Sequence, residues 1–307
     1  MALFNFRREA APAHPGASAE LQALLHGFSI EVMPRTAEKI EDFRDLLPAG
    51  TRVYIAHIEG TPIEDMVATA ARLAREGYTP MPHFPARIIR DRAVLVDWVA
   101  RYKGEAGITQ ALLLGGGVST PAGDYDNSMQ MIESGVFDGF DRLHVAGHPE
   151  GNRDIDPDGS DRMVMQALKW KQAFADRTDA QVAIATQFCF EAGPVIAWAN
   201  RLAAEGITLP IHIGVAGPAK LQTLIKFAIA CGVGPSLRVL QKRALDVTKL
   251  LLPYEPTEFL TDLAAHKAAT PGFGIEAVHF FPLGGIKTNA TWAADHGGAA
   301  AIPANHA

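Results

Sequence analysis

Short apolar runs alternate with helical patterns along almost the whole chain, and this alternation limits the possible folds more than any other feature. The runs recur at intervals of roughly 30 residues, as parallel strands connected by helices do. Eight such units predict a single-domain α/β fold, the (β/α)8 TIM barrel. An open doubly wound sheet is the alternative, but no Gly-x-Gly-x-x-Gly motif follows an early strand.

The two ends of the chain lack this alternation. Residues 1–19 are rich in Ala, Pro and Arg, and residues 291–307 are rich in Ala and Gly. We therefore predict flexible tails at 1–19 and 291–307, with the barrel occupying residues 20–290.

Charge and hydropathy argue against several classes of partner. The 307 residues carry a formal net charge of -6 and contain no Lys/Arg-rich run, which argues against nucleic acid. No apolar stretch reaches the roughly 18 residues of a membrane span, and no apolar segment follows Arg7 and Arg8 as it would in a signal peptide. Cys189 and Cys231 form no Cys-x-x-Cys pattern, so we expect buried thiols and a cytoplasmic location.

The stretch Val182–Glu191 passes from a buried strand into polar residues. Small and branched residues fill its first half, and Thr186 and Gln187 follow where the apolar run meets its loop. Ligands of parallel α/β proteins bind outside the carboxyl ends of the strands, so this hydroxyl and this amide are candidate site residues. The alternative is that Gln187 only satisfies the loop backbone.

In a barrel, the carboxyl ends of all strands share one mouth. Glu31 ends the first strand among Ile30, Val32 and Met33, where partial desolvation would raise its pKa and let it donate a proton near neutral pH. A structural alternative is an ion pair with Arg35. The other residues predicted at the mouth are His57, His83, Gly115, Gly116, Gly117, His148, Glu150, Gln187, Gly217 and Phe281 to Leu283.

Other chemistries fit these residues less well. Histidines in a barrel mouth suggest a metal-dependent hydrolase, but the first strand has no His-x-His pair and His279 on the last has no neighbouring Asp. We therefore predict no metal site. No Gly-x-Ser-x-Gly elbow supports a serine hydrolase. The run Gly115–Gly117 fits either a phosphate-binding loop or an ordinary turn.

Several motifs at these strand ends occur together in one known family. In chain order they are Glu31-Val-Met-Pro-Arg-Thr36, Pro82-His83, His148-Pro-Glu150 and Thr186-Gln-Phe-Cys-Phe-Glu191. The set resembles the methylenetetrahydrofolate reductase family from about Phe28 to Leu283. The resemblance implies a barrel that holds FAD in its mouth and reduces 5,10-methylenetetrahydrofolate to 5-methyltetrahydrofolate with NADH or NADPH. It also implies a bacterial-type, catalytic-only chain of one-carbon metabolism and methionine biosynthesis that assembles as a homo-oligomer.

The resemblance assigns roles by position. Glu31 matches the general acid that opens the five-membered folate ring, and Gln187 matches a glutamine that contacts folate and nicotinamide. Leu221 stands where the family has a stacking Phe, and Phe281 and Leu283 are assigned to the substrate site. The residues assigned to the FAD site are His57, His83, Leu114, Gly115, Gly116, Gly117, Tyr125, His148, Glu150 and Lys171, with His148 in place of the more usual Tyr.

One departure from the family concerns the end of the fourth strand. The family has Arg-Gly-Asp there, with the Asp near the flavin and the pterin, whereas this chain has Leu114-Gly-Gly-Gly117. Three alternatives follow: an FAD enzyme with an altered flavin potential, a flavin-independent enzyme that passes hydride directly from nicotinamide to folate, or a non-catalytic folate-binding relative. A folate-dependent methyltransferase is a fourth. The presence of Glu31 and Gln187 favours a reductase.

Overall fold

Eight parallel strands close on themselves in the computed structural model of the chain, which describes residues 17–230, 240–241 and 253–298. Each strand pairs with its neighbours in sequence, and β1 closes the ring by pairing with β8. This topology, with helices between the strands, confirms the predicted (β/α)8 TIM barrel. The strands are β1 (Ser29–Val32), β2 (Arg52–Ile55), β3 (Thr79–Pro85), β4 (Gln110–Leu114), β5 (Arg142–Gly147), β6 (Gln181–Cys189), β7 (Ile211–Ala216) and β8 (Ile275–Phe281).

Helices connect the strands, and local sequence sets several of their ends. The Asp91 carboxylate accepts a 2.9 Å hydrogen bond from the Val94 N–H at the start of α4, and Gly107 ends that helix with a φ of 61°. No helix in the described ranges has the length and hydrophobicity needed to cross a bilayer. The helices are α1 (Ala19–Leu25), α2 (Pro34–Ala37), α3 (Ile63–Arg75), α4 (Arg92–Ala106), α5 (Ser128–Glu133), α6 (Arg162–Ala175), α7 (Ala192–Ala204), α8 (Leu221–Ala230), α9 (Thr257–Ala269) and α10 (Ile286–Asp295).

Most of the hydrophobic core lies between the strands and the helices, in a layer that we call the shell. Alternate strand residues such as Ile30 and Val145 belong to it and are fully buried. Aromatic pairs add to the packing, since the Phe84 ring lies 5.3 Å from that of Tyr102 and 5.1 Å from that of Phe137. The shell therefore attaches the helices to the barrel.

The inside of the barrel, which we call the lumen, is more polar than the shell. Its apolar cluster contains Tyr54, Met81, Leu112 and Ala185, with Leu114 packed against it. The lumen of such a barrel is usually filled by Val, Ile and Leu. The remaining space in this lumen is available to hydrogen-bonding side chains.

Tyr54 makes ring contacts with histidines from three other strands. Its ring centroid lies 6.1 Å from that of His83, 5.8 Å from that of His144 and 4.2 Å from that of His279. The His144 ring lies a further 4.5 Å from that of His212 on β7. Because β2 is adjacent to neither β5 nor β8, the contacts of Tyr54 with His144 and His279 cross the lumen.

The last helix extends the packed barrel beyond the predicted boundary at residue 290. In α10, Trp292 and Ala293 are buried, and the Trp292 ring lies 5.8 Å from that of Phe280 on β8. Residues 291–298 therefore belong to the folded domain and are not part of a tail, because an indole in the shell fixes them there. The predicted N-terminal tail is also too long by residues 18 and 19, since the Ser18 hydroxyl caps α1 and Ala19 begins this helix. Residues 1–16 and 299–307 of the predicted tails lie outside the described ranges.

Candidate active site at the barrel mouth

Glu31 lies near the carboxyl end of β1, between histidines from two other strands. Its Oε2 is 3.4 Å from Nε2 of His83 on β3 and 3.9 Å from Nε2 of His279 on β8. The Glu31 side chain is 19% exposed, so a ligand in the mouth can reach its carboxyl group. Among the ion pairs of the described residues, these histidines are its partners, and Arg35 is not one of them.

The two histidines reverse the expected direction of the Glu31 pKa. Burial acts to raise this pKa, but the interactions of the carboxyl group with His279 and His83 outweigh burial and lower it. Burial lowers the pKa of His83 to about 4. The expectation of a raised Glu31 pKa was therefore wrong. The apolar residues next to Glu31 in the sequence suggested it, but the carboxyl group faces two histidines in the lumen. Without a ligand, Glu31 is a carboxylate at neutral pH.

A β-bulge in β6 sets the position of Gln187. Ala185 pairs with His212 and Phe188 with Gly214, so Thr186 and Gln187 together face a single residue of β7. Gln187 is half-buried, whereas the residues on both sides of it are buried. The bulge thus gives one amide side chain access to the mouth among buried residues near the end of β6.

Thr186 and Gly214 hold this bulge. The Thr186 hydroxyl accepts a 2.8 Å hydrogen bond from the Gly214 N–H and donates a 2.7 Å hydrogen bond to the Gln187 carbonyl. A Cβ at Gly214 would lie 2.5 Å from the carbonyl oxygens of both Thr186 and Gln187, so the close approach of β7 requires glycine. The threonine of the Thr-Gln motif is therefore a structural support for Gln187.

His148 and Lys171 come together where β5 meets α6. The Lys171 ammonium donates a 3.0 Å hydrogen bond to the Ala146 carbonyl, and burial lowers its pKa to about 8. Burial and the positive charge of Lys171 lower the pKa of His148 to about 4. Within the described residues, His148 Nδ1 is buried without a hydrogen-bond partner. A buried ammonium near an unsatisfied ring nitrogen fits an anionic group such as a phosphate.

The structure distributes other predicted cofactor residues over different environments. His57 Nε2 is 3.0 Å from the Thr61 carbonyl, and Nδ1 is buried without a partner in the described part of the chain. Tyr125 is buried in the shell, where its phenol interacts with Ser134 after α5, away from the lumen. Glu150 is half-buried, and its charge adds to burial in raising the pKa of the Cys189 thiol on β6.

The glycine run after β4 forms a turn beside the end of β3. The Gly115 carbonyl accepts a 2.9 Å hydrogen bond from the Arg87 N–H, and Gly116 has a φ of 97° with Pro85 against it. A Cβ at Gly115 or Gly117 would meet no atom within 4 Å. The run therefore leaves open space next to Leu114 and supplies no side chain at the two positions where the family has Arg and Asp.

An apolar cluster borders Gln187 on the other side of the mouth. Phe188 and Leu221 are buried in it, and Phe281 and Leu283 are half-buried against it. The Phe188 and Phe281 rings are 5.6 Å apart. The structure thus brings the three predicted substrate contacts, Leu221, Phe281 and Leu283, into one cluster that can receive a planar ring.

Four lumen residues went unrecognised as members of the site. They are Tyr54, His144, His212 and, except as a rejected metal ligand, His279. Tyr54 and His144 alternate with apolar residues along their strands, but this pattern does not by itself tell which face of the strand points into the lumen. No group of three or more possible metal ligands occurs in the described ranges.

Comparison with solved structures supports the fold. An uncharacterized protein from Clostridium thermocellum that binds two copies of 5-methyl-5,6,7,8-tetrahydrofolic acid aligns at a TM-score of 0.57 and 10% identity, over 90% of this chain and 96% of that one. A candidate chitinase A from Streptomyces coelicolor aligns at a TM-score of 0.43 and 11% identity, over 90% and 97% of the two chains. A TM-score below 0.5 carries no weight, and 10% identity shows the fold alone. No protein-family model matches the chain.

Proposed function

We propose that this protein interconverts 5,10-methylenetetrahydrofolate and 5-methyltetrahydrofolate with NADH or NADPH. The observation that carries the proposal is Glu31, a half-buried carboxyl group in the barrel mouth between His83 and His279. Folate also enters the proposal through the Clostridium thermocellum protein of the same fold, which binds 5-methyltetrahydrofolate. The sequence motifs resembling methylenetetrahydrofolate reductases supply the third argument.

Glu31 would act as the general acid in the reductive direction. Protonation of a ring nitrogen breaks its bond to the bridging carbon and leaves an iminium carbon, which then accepts a hydride. One proton and one hydride are consumed per 5-methyltetrahydrofolate formed. In the oxidative direction the same carboxylate accepts the proton. Its resting carboxylate form suits this second direction, and the covering of the site by a ligand favours protonation by removing water.

Gln187 and the apolar cluster would orient the ring systems. An amide offers both a donor and an acceptor, as recognition of a pterin or a nicotinamide edge requires. The rings would pack on Leu221, Phe281 and Leu283, which are brought together beside the bulge. Leu221 can pack against a ring but cannot stack as the usual Phe does.

The residues present fit FAD at its diphosphate. Lys171 offers a buried ammonium, and its neighbour His148 offers a buried ring nitrogen without a hydrogen-bond partner in the described ranges. Bound FAD would supply hydride transfer between nicotinamide and folate. Gly115 and Gly117 would offer the cofactor no carboxylate in place of the Asp that the resemblance implies there.

A flavin-independent reductase is the alternative that the glycine run favours. With no Arg or Asp after β4, the open space there can also receive a nicotinamide, so that hydride passes directly to folate. A non-catalytic folate-binding protein is the third candidate, which the folate-binding neighbour favours. The cytoplasmic location and the homo-oligomeric state stay predictions.

An absorption spectrum with and without added FAD, followed by an NAD(P)H oxidation assay with methylenetetrahydrofolate, tests these proposals. Flavin bands that stay with the protein, together with turnover, would support the FAD enzyme. A colourless protein that still oxidises NAD(P)H would point to direct hydride transfer. Folate binding without turnover in either direction would refute the enzyme and leave the binding protein.

A further inference from the structure

A series of buried hydrogen-bonding side chains leads from Glu31 into the lumen. The Glu31 carboxylate is 3.9 Å from Nε2 of His279, whose Nδ1 is 3.0 Å from the Ser29 hydroxyl. The Tyr54 phenol interacts with Ser29, and the Tyr54 ring lies 4.2 Å from that of His279, so Tyr54 is next in the series. Ser29, Tyr54 and His279 are each at most 1% exposed, so this first part of the series is isolated from solvent.

The series continues to the opposite end of the barrel. The Tyr54 hydroxyl forms a short hydrogen bond with Nδ1 of His144, and the His144 ring lies 4.5 Å from that of His212. His212 Nε2 is 2.9 Å from the carboxylate of Glu276, which is 54% exposed at the start of β8. One end of the series is thus in the mouth and the other is in solvent on the far side.

Two contacts of the series are not direct hydrogen bonds: the 3.9 Å contact between Glu31 and His279, and the ring contact between His144 and His212. Nε2 of His144 and Nδ1 of His212 are both buried and without a partner in the described ranges. The two nitrogens belong to rings whose centroids lie 4.5 Å apart, and transfer between them requires a bridging water molecule or a small ring rotation.

The charged groups around the series keep its central histidine, His144, from holding an extra proton, so that a proton is passed on. Arg52 on β2 and Arg142 on β5 lie near the Glu276 end, and with burial they lower the pKa of His144. His83 on β3 faces the Glu31 end. The strands β4 and β6 face the series with Leu112 and Ala185, which carry no charge. A histidine that stays neutral can accept a proton on one nitrogen and release one from the other.

We propose that these side chains form a proton relay that exchanges protons between Glu31 and the solvent at Glu276 while ligands cover the mouth. The inference rests on the proposed function, in which Glu31 gains or loses one proton per turnover. Folate and a hydride donor bound over Glu31 would close the direct path from the mouth. The far end of the barrel then stays open to solvent.

Each step of the relay moves one proton. Glu276 passes a proton to His212, which releases its other ring proton towards His144. His144 passes its Nδ1 proton to the Tyr54 oxygen. The Tyr54 phenol proton moves to the Ser29 oxygen, and the Ser29 hydroxyl proton moves to Nδ1 of His279. With this proton on Nδ1, His279 releases its Nε2 proton to the Glu31 carboxylate. One proton enters, one is delivered, and oxidation drives the steps in reverse.

Tyr54→Phe, with Tyr78→Phe as the matched control, tests the relay. Each variant loses one buried phenol hydroxyl, but that of Tyr78 donates to the Leu47 carbonyl in the shell. We expect Tyr54→Phe to lower kcat about tenfold or more at pH 8 and less at pH 6, with a larger solvent isotope effect and an unchanged folate Kd. Wild-type kinetics in Tyr54→Phe, or the same pH-dependent loss in Tyr78→Phe, would overturn the relay.

Glu276→Gln examines the exposed end without touching the mouth. We expect a several-fold loss of kcat that millimolar imidazole restores, since a small buffer can deliver protons to His212. A loss that imidazole does not restore would contradict the relay. Absence of folate turnover in the wild type would instead refute the proposed function. The relay would then be read from ¹⁵N NMR, where Tyr54→Phe must change the tautomers of His144 and His279; unchanged tautomers would overturn it.

Discussion

Glu31 illustrates how neighbouring side chains in space can override the sequence neighbours of a residue. The apolar residues beside it on β1 belong to the shell, whereas its carboxyl group points to two histidines of the lumen. Histidines stabilise the carboxylate, so its pKa lies below the ordinary value in the absence of a ligand. The acid role therefore requires the bound ligand to change the environment of Glu31.

Glu31→Gln should lower folate turnover by a factor of about 10² or more, because the amide cannot exchange a proton with the substrate. The fold should be kept, since glutamine has the same size as glutamate and keeps a side-chain oxygen near the two histidines. Glu38→Gln, an exposed carboxylate seven residues further on, is the control and should turn over normally. Near-normal turnover by Glu31→Gln would contradict its assignment as the acid.

Lys171 should determine the affinity for an anionic cofactor. Lys171→Met removes the buried ammonium, and we expect FAD or ADP, titrated by fluorescence or calorimetry, to bind at least tenfold more weakly. In the wild type, affinity should fall as pH rises through about 8, where the ammonium loses its proton. Lys169→Met on the same helix is the control, because Lys169 is exposed and paired with Glu205. Equal affinities in the two variants would exclude a role in anion binding.

The site residues that the sequence predicted lie at the ends of apolar runs, whereas those that it did not predict lie inside the strands. Glu31, His83 and Gln187 follow or interrupt apolar runs, and the structure brings Glu31 and His83 within 3.4 Å. Tyr54 and His144 lie inside strands that read as buried on both faces. Their inward direction follows only from barrel closure, which converts every second residue of a strand into a lumen residue.

At the scale of a secondary-structure element, the bulge in β6 is the feature that joins fold to site. It depends on the pairing of Thr186 with Gly214 on another strand. The sequence predicts a strand here but not its bulge, because register is decided by the partner strand. The need for glycine at position 214 is seen only when β6 and β7 are paired, because a Cβ there would collide with the backbone of β6.

Thr186→Val should weaken both stability and ligand binding. The isosteric change removes two hydrogen bonds and leaves the Gly214 N–H unsatisfied, which costs about 1–3 kcal/mol in the free energy of unfolding. Folate affinity should fall several-fold because Gln187 loses its support. Thr69→Val, which removes a 2.7 Å hydrogen bond to the Asp65 carbonyl in α3, should lower stability without changing affinity. Urea denaturation and folate titration compare the two variants.

At the scale of the whole molecule, the number of buried neutral histidines predicts sensitivity to acid. The pKa of His83 and of His148 is about 4 in the folded state, and burial also lowers those of His144 and His212. Between pH 6.5 and 4 the unfolded chain binds more protons than the folded one, so stability falls as pH decreases through this window. His83 and His148 should each account for roughly 3 kcal/mol of the loss.

Urea unfolding followed by circular dichroism from pH 7 to pH 4 measures this loss. His148→Phe should make the dependence on pH shallower, because one of the titrating groups is removed while an aromatic ring is kept. A free energy of unfolding that stays constant between pH 7 and pH 5 would show that the histidines are not neutral and buried in the folded state.

The overall architecture was predictable because apolar runs and their spacing are local properties. All eight strands occur where the alternation indicated, and the barrel closes in chain order. The boundary at residue 290 was misplaced because alanine-rich composition resembles a tail, while Trp292 packs in the shell. A single large ring in that segment outweighs the small residues around it.

The separation of an apolar shell from a polar lumen has an evolutionary consequence. Substitutions in the shell change how firmly the helices hold the barrel, whereas substitutions in the lumen change which groups ionise and where hydrogen bonds run. Selection for thermal tolerance and selection for chemistry then act on different sets of positions. The residues at the mouth, such as Gly115–Gly117 after β4, can therefore change while the shell continues to specify the same barrel.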